Sequence, residues 1–340
     1  MQAQRQNLRA IAIGTSAGGV DALKRLVATL DDDLAAPVLI VMHVGARSLL
    51  PQILSTAGRL PACHAEHGQS LEPGRIYIAP PDRHMLVHDH HILLRRGPHE
   101  NLCRPAIDPL FRTLACSYGP SAIGVVLTGA LDDGTAGLDA IARCGGTTVV
   151  QDPDDAIAAE MPRSALRHVP VDHCVPLDGL GALLTRLATQ QPGPPRDIPL
   201  DVKLEAAVAA QEHVQGGVAP PHGVLSPYIC PHCQGPLWEI ADHPPLRYRC
   251  HTGHSFTVDA MLEAQAEEAE GLLWTLMRSH QQRATLVRSM AERAKGTAQA
   301  AHLLRRAEEY GKDADMIRSM IERAGIGHEG DRQEPVEDIG

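Results

Sequence analysis

Residues 11–23 read IAIGTSAGGVDAL: a short apolar run, a serine set among glycines, then the start of an amphipathic pattern. A run that short, ending in glycine and giving way to a 3.6-residue period, is a strand, a tight turn and a helix. The unit recurs. PVLIVMH (37–43) precedes LPQILSTAG (50–58), AIGVVLTG (122–129) precedes GLDAIARCG (137–145), and TTVVQD (147–152) precedes PRSALRH (162–168). Continuous apolar strands alternating with helices imply an α/β fold, a doubly wound and mostly parallel sheet covered on both faces. Residues 74–97, GRIYIAPPDRHMLVHDHHILLRRG, break the rhythm with two or three alternating strands and no helix. They predict an antiparallel hairpin attached to a sheet edge, and hence a mixed sheet.

Working outward, 340 residues exceed one average domain. Residues 1–189 hold the α/β pattern. Residues 190–225, rich in Pro and Gly with one short Ala-rich helical piece, read as a linker. A Cys/His segment occupies 226–257, helical text fills 258–326, and 327–340 reads as a disordered tail. In the helical text Leu262, Ala266, Ala269, Leu273, Met277, Leu286, Met290 and Ala294 recur at helical spacing. These helices are expected to form a hairpin or short coiled coil, for self-association or for a signalling partner.

A net charge of −10 excludes a general nucleic-acid binder, and 3% aromatic content removes base-stacking platforms. The N-terminus has no apolar h-region and no window is long enough to span a bilayer, so the expected location is cytoplasmic, without membrane insertion. Five of the eight cysteines (Cys63, Cys103, Cys116, Cys144, Cys174) are scattered singly, as small apolar residues in a reducing compartment are.

In an open parallel sheet, chemistry sits where strands end and helices begin. Ser16 lies at such a corner, beside helix N–H groups able to hold an oxyanion. It could equally be an N-cap. A dinucleotide-binding turn needs glycine where Ser16 stands, although Asp31 to Asp33 sit near the place of a ribose-holding acid. A hydroxyl nucleophile needs a base and an orienter, and other strand ends supply His43, Asp132 and Asp133.

These stretches resemble the catalytic domain of the protein-glutamate methylesterases of bacterial chemotaxis, the CheB family, over residues 8–187. The motifs are IGTSAGGVDAL, VLIVMHV, PGRIYIAPPDRHMLV, RPAIDPLF, GVVLTGALDDGTAG, VVQDPDDA and MPRSAL, in the family's order. The resemblance implies Ser16 as nucleophile, His43 as general base and Asp133, rather than Asp132, as the residue orienting it. It also implies backbone N–H groups at Ala17 and Ala130 as oxyanion donors, with Arg104, Met161 and Arg163 facing substrate. The implied substrate is a methylated chemoreceptor-like protein whose γ-glutamyl methyl esters are hydrolysed to glutamate and methanol, with glutamine deamidation as a second reaction. No cofactor is needed for that chemistry. Ala17 replaces the family's usual threonine, and Ala130–Leu131 replace a Met–Gly pair. Because the matching text begins within the first dozen residues, the expectation is an enzyme lacking the family's receiver domain.

Cys230 and Cys233, two residues apart, precede Cys250 and His254 by sixteen intervening residues. This spacing predicts a closed, structural Zn²⁺ site, with His251 as the competing fourth ligand. The segment resembles a zinc-ribbon-like extension of receiver-less relatives, through LWE and YRCHTGHSF. The opposing reading is a signalling adaptor with a vestigial esterase domain, acting through its zinc and helical regions.

Overall fold

The computed structural model describes residues 8–43, 48–210, 223–240 and 244–325. It divides into two compact units, 1–261 and 262–340. In the first, seven strands form one sheet in the order β3-β4-β2-β1-β7-β8-β9. They are β1 (Ala10–Thr15), β2 (Val38–Met42), β3 (Ala62–His64), β4 (Ile76–Ile78), β7 (Ala122–Val126), β8 (Thr147–Gln151) and β9 (His173–Val175), and every pairing is parallel. Side chains alternate between faces along each strand. Ile11, Ile13, Val38 and Ile40 enter one apolar cluster with α1 (Gly19–Ala28), α2 (Leu50–Ala57) and α6 (Leu177–Thr189). Ala10, Ala12, Leu39 and Val41 enter the other with α3 (Ile107–Tyr118), α4 (Thr135–Arg143) and α5 (Glu160–His168).

The chain winds from β1 outward through β2 in one direction and through β7 in the other, so the switch point lies between β1 and β7. The crevice for a ligand opens at their carboxyl ends.

The hairpin is β5 (His84–His88) with β6 (His91–Arg95). It does not extend the sheet as expected; it forms its own two-stranded sheet over α3, burying Met85, Leu86 and Val87. The seven-stranded sheet is therefore wholly parallel. Alternation identified the strands, but an alternating pattern fixes only which face is apolar, not which neighbour it meets.

The linker reading also needs correction. Within it, α7 (Leu200–Ala210) is docked on α3 and buries Val202, Glu205 and Ala210. Asp201 makes a two-pronged contact with Arg143, at 2.7 and 2.8 Å. Polar residues that composition assigns to solvent here find partners on a distant helix. Residues 211–222 lie outside the described residues, as does the expected tail. Because the Arg143–Asp201 pair is only partly shielded, Arg143→Ala is expected to lower stability by about 1 kcal/mol in urea unfolding.

The Cys/His segment is a four-stranded antiparallel sheet in chain order: β10 (Val224–Ile229), β11 (Pro236–Ile240), β12 (Arg247–Cys250) and β13 (Ser255–Thr257). It packs onto the α/β body through a buried charge cluster. Arg112 Nη2 reaches Glu100 Oε2 at 2.6 Å, Arg247 Nη1 reaches Glu205 Oε2 at 2.6 Å, and Arg249 Nη2 lies 3.4 Å from Glu100.

In the second unit, α8 (Val258–Arg293) and α9 (Ala298–Gly325) form a hairpin. Its seams are Met277 with Ala314, Ile317 and Ile321, and Val287 and Ala291 with Leu303 and Ala307. Leu286 and Met290, two of the periodic residues noted above, are exposed. Helical text with apolar residues on more than one face does not single out its seam.

Candidate active site

Ser16 stands one residue beyond β1, held by its own N–H to Thr128 O (3.0 Å) and by Gly19 N–H to Ser16 O (2.8 Å). Gly18, at φ +74°, occupies the cap position of α1, which has no side-chain cap. The hydroxyl is thus free of the N-cap role. Its Oγ lies 3.0 Å from His43 Nδ1 instead. His43 follows β2, and its N–H bonds Thr15 O at 3.3 Å, tying the two strand ends together. On the far side of the ring, Nε2 lies 2.9 Å from Asp133 Oδ2.

Asp133, 2% exposed, comes from the loop after β7. Besides His43, it accepts from Ile107 N (2.7 Å), Gly134 N (2.9 Å), Asn101 Nδ2 (3.0 Å) and Asp108 N (3.3 Å). Burial alone would raise this carboxyl; the bonds from His43, Ile107 and Asn101 outweigh it and hold it below its usual range. Burial likewise opposes charging His43, but Asp133 and the neighbouring Cys103 thiol prevail and raise the imidazole to about 10. Asp132 points elsewhere: its Oδ1 accepts from Thr257 Oγ1 at 2.7 Å. Burial, helped by the charges of Asp259 and Asp133, raises its carboxyl to about 6.

The rim beside Ser16 is built by Thr128 and Gly129. Thr128 Oγ1 donates to Ala17 O at 2.9 Å, and Ala158 N donates to that hydroxyl at 2.8 Å. Met161, fully buried, lies beneath Gly129; a Cβ at Gly129 would stand 2.0 Å from Met161 Sδ. Leu131, at φ +58°, donates its N–H to Glu160 Oε2 at 2.8 Å. Ala17 and Ala130 are exposed, and neither N–H has an acceptor among the described residues. Arg104 is tied to Asp82 and to Gly97 O, while Arg163 is exposed. Asn101 and Thr128 were not singled out from the sequence, and Cys103, read there only as a small apolar residue, lies beside His43. Thr128 carries a signal, adjoining the glycine of a strand end; Asn101 carries none.

The second cluster is Cys230, Cys233, Cys250 and His254, whose ligand atoms all lie within 4.8 Å of one another. Cys233 Sγ is 3.6 Å from Cys250 Sγ, and His254 Nδ1 is 3.5 Å from Cys250 Sγ and 3.7 Å from Cys230 Sγ. A tetrahedron with metal–ligand bonds of about 2.0–2.3 Å has edges of roughly 3.3–3.8 Å, so this donor set fits a metal. His251 stays outside it, with its ring against Gly235. Among the described residues no helix is long and apolar enough to cross a membrane.

Comparison with known proteins agrees with this architecture. A Leptospira interrogans protein provisionally named protein-glutamate methylesterase/protein-glutamine glutaminase is 41% identical over 184 residues, covering 53% of this chain and 95% of the relative. Protein-glutamate methylesterase/protein-glutamine glutaminase 2 of Caulobacter vibrioides is 36% identical over 188 residues, covering 53% of this chain but only 54% of the relative. The crystal structure of the Thermotoga maritima CheB methylesterase catalytic domain superposes with a TM-score of 0.51 at 29% identity, covering 53% of this chain and 98% of that one. The profile of the CheB methylesterase family matches residues 11–184, half of the chain, and the chain belongs to that family.

Proposed function

We propose that residues 8–187 hydrolyse γ-glutamyl methyl esters on chemoreceptor-like proteins, with Ser16 as nucleophile, His43 as general base and Asp133 as its orienter. The carrying observation is the continuous line Ser16 Oγ to His43 Nδ1, 3.0 Å, and His43 Nε2 to Asp133 Oδ2, 2.9 Å, at the sheet's switch point. Neutral His43 carries its proton on Nε2, donated to Asp133, and leaves the Nδ1 lone pair for the serine proton. As that proton moves, the Oγ–C bond forms and the carbonyl oxygen takes the negative charge. In this reading the N–H groups of Ala17 and Ala130 hold it. The C–OCH₃ bond then breaks, methanol leaving with the proton from His43. Water repeats the attack, giving the glutamate carboxylate and restoring Ser16. A glutamine amide enters the same cycle more slowly, with ammonia as leaving group. Arg104 and Met161 act indirectly in this reading, Arg104 through its tie to Asp82 and Met161 as the floor under Gly129. The partner is the receptor's methylated segment, and the site is cytoplasmic.

Cys230, Cys233, Cys250 and His254 are proposed to hold Zn²⁺. Three thiolates and an imidazole suit this ion, and four protein ligands leave no open position for catalysis. The zinc is structural.

The test incubates the full chain with methyl-labelled receptor and follows methanol, then treats it with a phosphonofluoridate and maps the adduct. Methanol release with one adduct, on Ser16, is expected. No release and no adduct would leave the adaptor reading. Because His43 must be neutral to act, kcat/KM is expected to rise with pH, its acid limb centred above the ordinary imidazole value of about 6.5. A limb below 6.5 would mean that Asp133 does not stabilise the imidazolium.

A further inference from the structure

Strand β13 of the metal module lies against the loop that carries Asn101. Asn101 N–H donates to Ser255 O at 2.9 Å, Ser255 N–H to His99 O at 3.4 Å, and Thr257 N–H to Asn101 Oδ1 at 3.2 Å. The last contact decides the amide's orientation. An N–H can be accepted only by the carbonyl end, so the NH₂ end faces the other way. There it donates to Asp133 Oδ1 and to Asp108 Oδ2, both at 3.0 Å. Asn101 is 4% exposed and bridges two buried carboxylates, one of which aligns His43.

The loop is a tight turn closed by its own backbone, Glu100 N–H to Cys103 O at 3.3 Å and Cys103 N–H to Glu100 O at 3.0 Å. Asn101 and Leu102 are consecutive left-handed residues, at φ +48° and +67°. Asparagine tolerates that region and leucine adopts it at a cost, so the turn gains from a partner outside it. β13 is such a partner, and β13 follows directly on a metal ligand. Cys250 N–H bonds His254 O at 3.0 Å, closing the ligand turn, and Ser255 comes next. A second contact runs the same way, from Thr257 Oγ1 to Asp132 in the loop that also carries Asp133.

We propose that Asn101 is a positioning residue through which the metal module controls the esterase: with metal bound, β13 fixes the Asn101 amide so that its NH₂ supports Asp133, and without metal that support is lost. The inference rests on the triad and metal readings above. It makes metal loading a condition for a competent triad although the metal touches no reacting atom.

The experiment is a cycle on the full chain. Wild type and Asn101→Ala are each studied zinc-loaded, stripped with chelator and reloaded, with zinc content measured by mass spectrometry. One readout is kcat and KM for methanol release. The other is the His43 imidazole titration followed by NMR, which needs no turnover. The titratable groups around that imidazole and its carboxylate are Asp133, Cys103, Asp108, Asp132, His84 and Glu100, and the substitution changes none of them. Stripping wild type is expected to lower kcat about 10- to 100-fold, the range seen when a group supporting a site residue is removed. KM should change less than twofold, and the His43 titration should move down toward 6.5, all restored by zinc. Loaded Asn101→Ala should already show these changes, and stripping it should add nothing, because the two perturbations break one connection.

Equal losses on stripping in both proteins, or Asn101→Ala matching wild type in kcat and in the His43 titration, would overturn the proposal. Stripping wild type needs no substitution, so the proposal stays testable if Asn101→Ala fails to fold. Thr257→Val, which keeps the N–H bonded to Asn101 and removes the hydroxyl's contacts to Asp132 and to the Ala260 N–H, is expected to leave the His43 titration and its zinc dependence as in wild type. A wild type that binds zinc but releases no methanol would refute the esterase reading while the titration still tests Asn101.

Discussion

Asp133→Asn is expected to lower kcat for methyl ester hydrolysis by about 10⁴-fold, with KM and the thermal melt little changed. Every group that faces this carboxylate is a donor: His43 Nε2 and Ile107 N at Oδ2, and Asn101 Nδ2, Gly134 N and Asp108 N at Oδ1. An amide must turn its NH₂ toward one of these sets. If the NH₂ meets His43, the ring is driven to the tautomer with its proton on Nδ1, and no lone pair remains for Ser16. If it meets the other set, the oxygen still accepts from Nε2, but no negative charge balances the imidazolium as the serine proton arrives. Both arrangements remove transition-state stabilisation and leave the groups outside the triad unchanged, so on the proposed mechanism the loss belongs in kcat. Methanol release under saturating substrate measures it, with circular dichroism to verify the fold. Activity within tenfold of wild type would mean that His43 is oriented by something other than Asp133.

The strand ends that bring Ser16, His43 and Asp133 together were legible because the signal is local. Each residue follows an apolar run and adjoins glycine or a sharp turn, and parallel sheets gather such positions on one edge. Asn101 was not legible for the complementary reason. It sits in ENLCRPAID, where polar residues without periodicity read as an ordinary turn, and its meaning lies in Asp133 and Thr257, 32 and 156 residues away. The linker helix fails in the same manner. Asp201 and Glu205 look like solvated charges in Ala-rich text, and only the fold sets them against Arg143 and Arg247, 58 and 42 residues distant. The hairpin lies between these cases: its strands and their pairing with each other follow from alternation, but its place over α3 rather than on a sheet edge does not.

Glu205→Ala tests how the α/β body and the metal module are held together, and it is expected to destabilise the first unit by about 3–5 kcal/mol in urea unfolding. Arg112, Arg247 and Arg249 converge on Glu100 and Glu205, and all five are nearly or fully buried. Removing Glu205 leaves Arg112 and Arg249 to Glu100 and takes from Arg247 the carboxylate it pairs with, in a place water reaches poorly. The loss is thus larger than that of any single ion pair at the surface. Burial by itself would raise the Glu205 carboxyl, yet Arg247, Arg112 and Arg249 hold it well below its ordinary range. A carboxylate lowered in the folded state contributes stability that is complete above its unfolded value of about 4.3 and fades as pH falls toward its folded one. Glu205→Gln, which keeps the shape and loses the charge, should therefore flatten the decline in stability below pH 5 while lowering stability at pH 7. Equal stability of Glu205→Ala and wild type at pH 7 would mean that the three arginines are satisfied without this helix. The docking of α7 would then rest on Val202 and the Asp201–Arg143 pair, and Arg143→Ala would become the more damaging substitution.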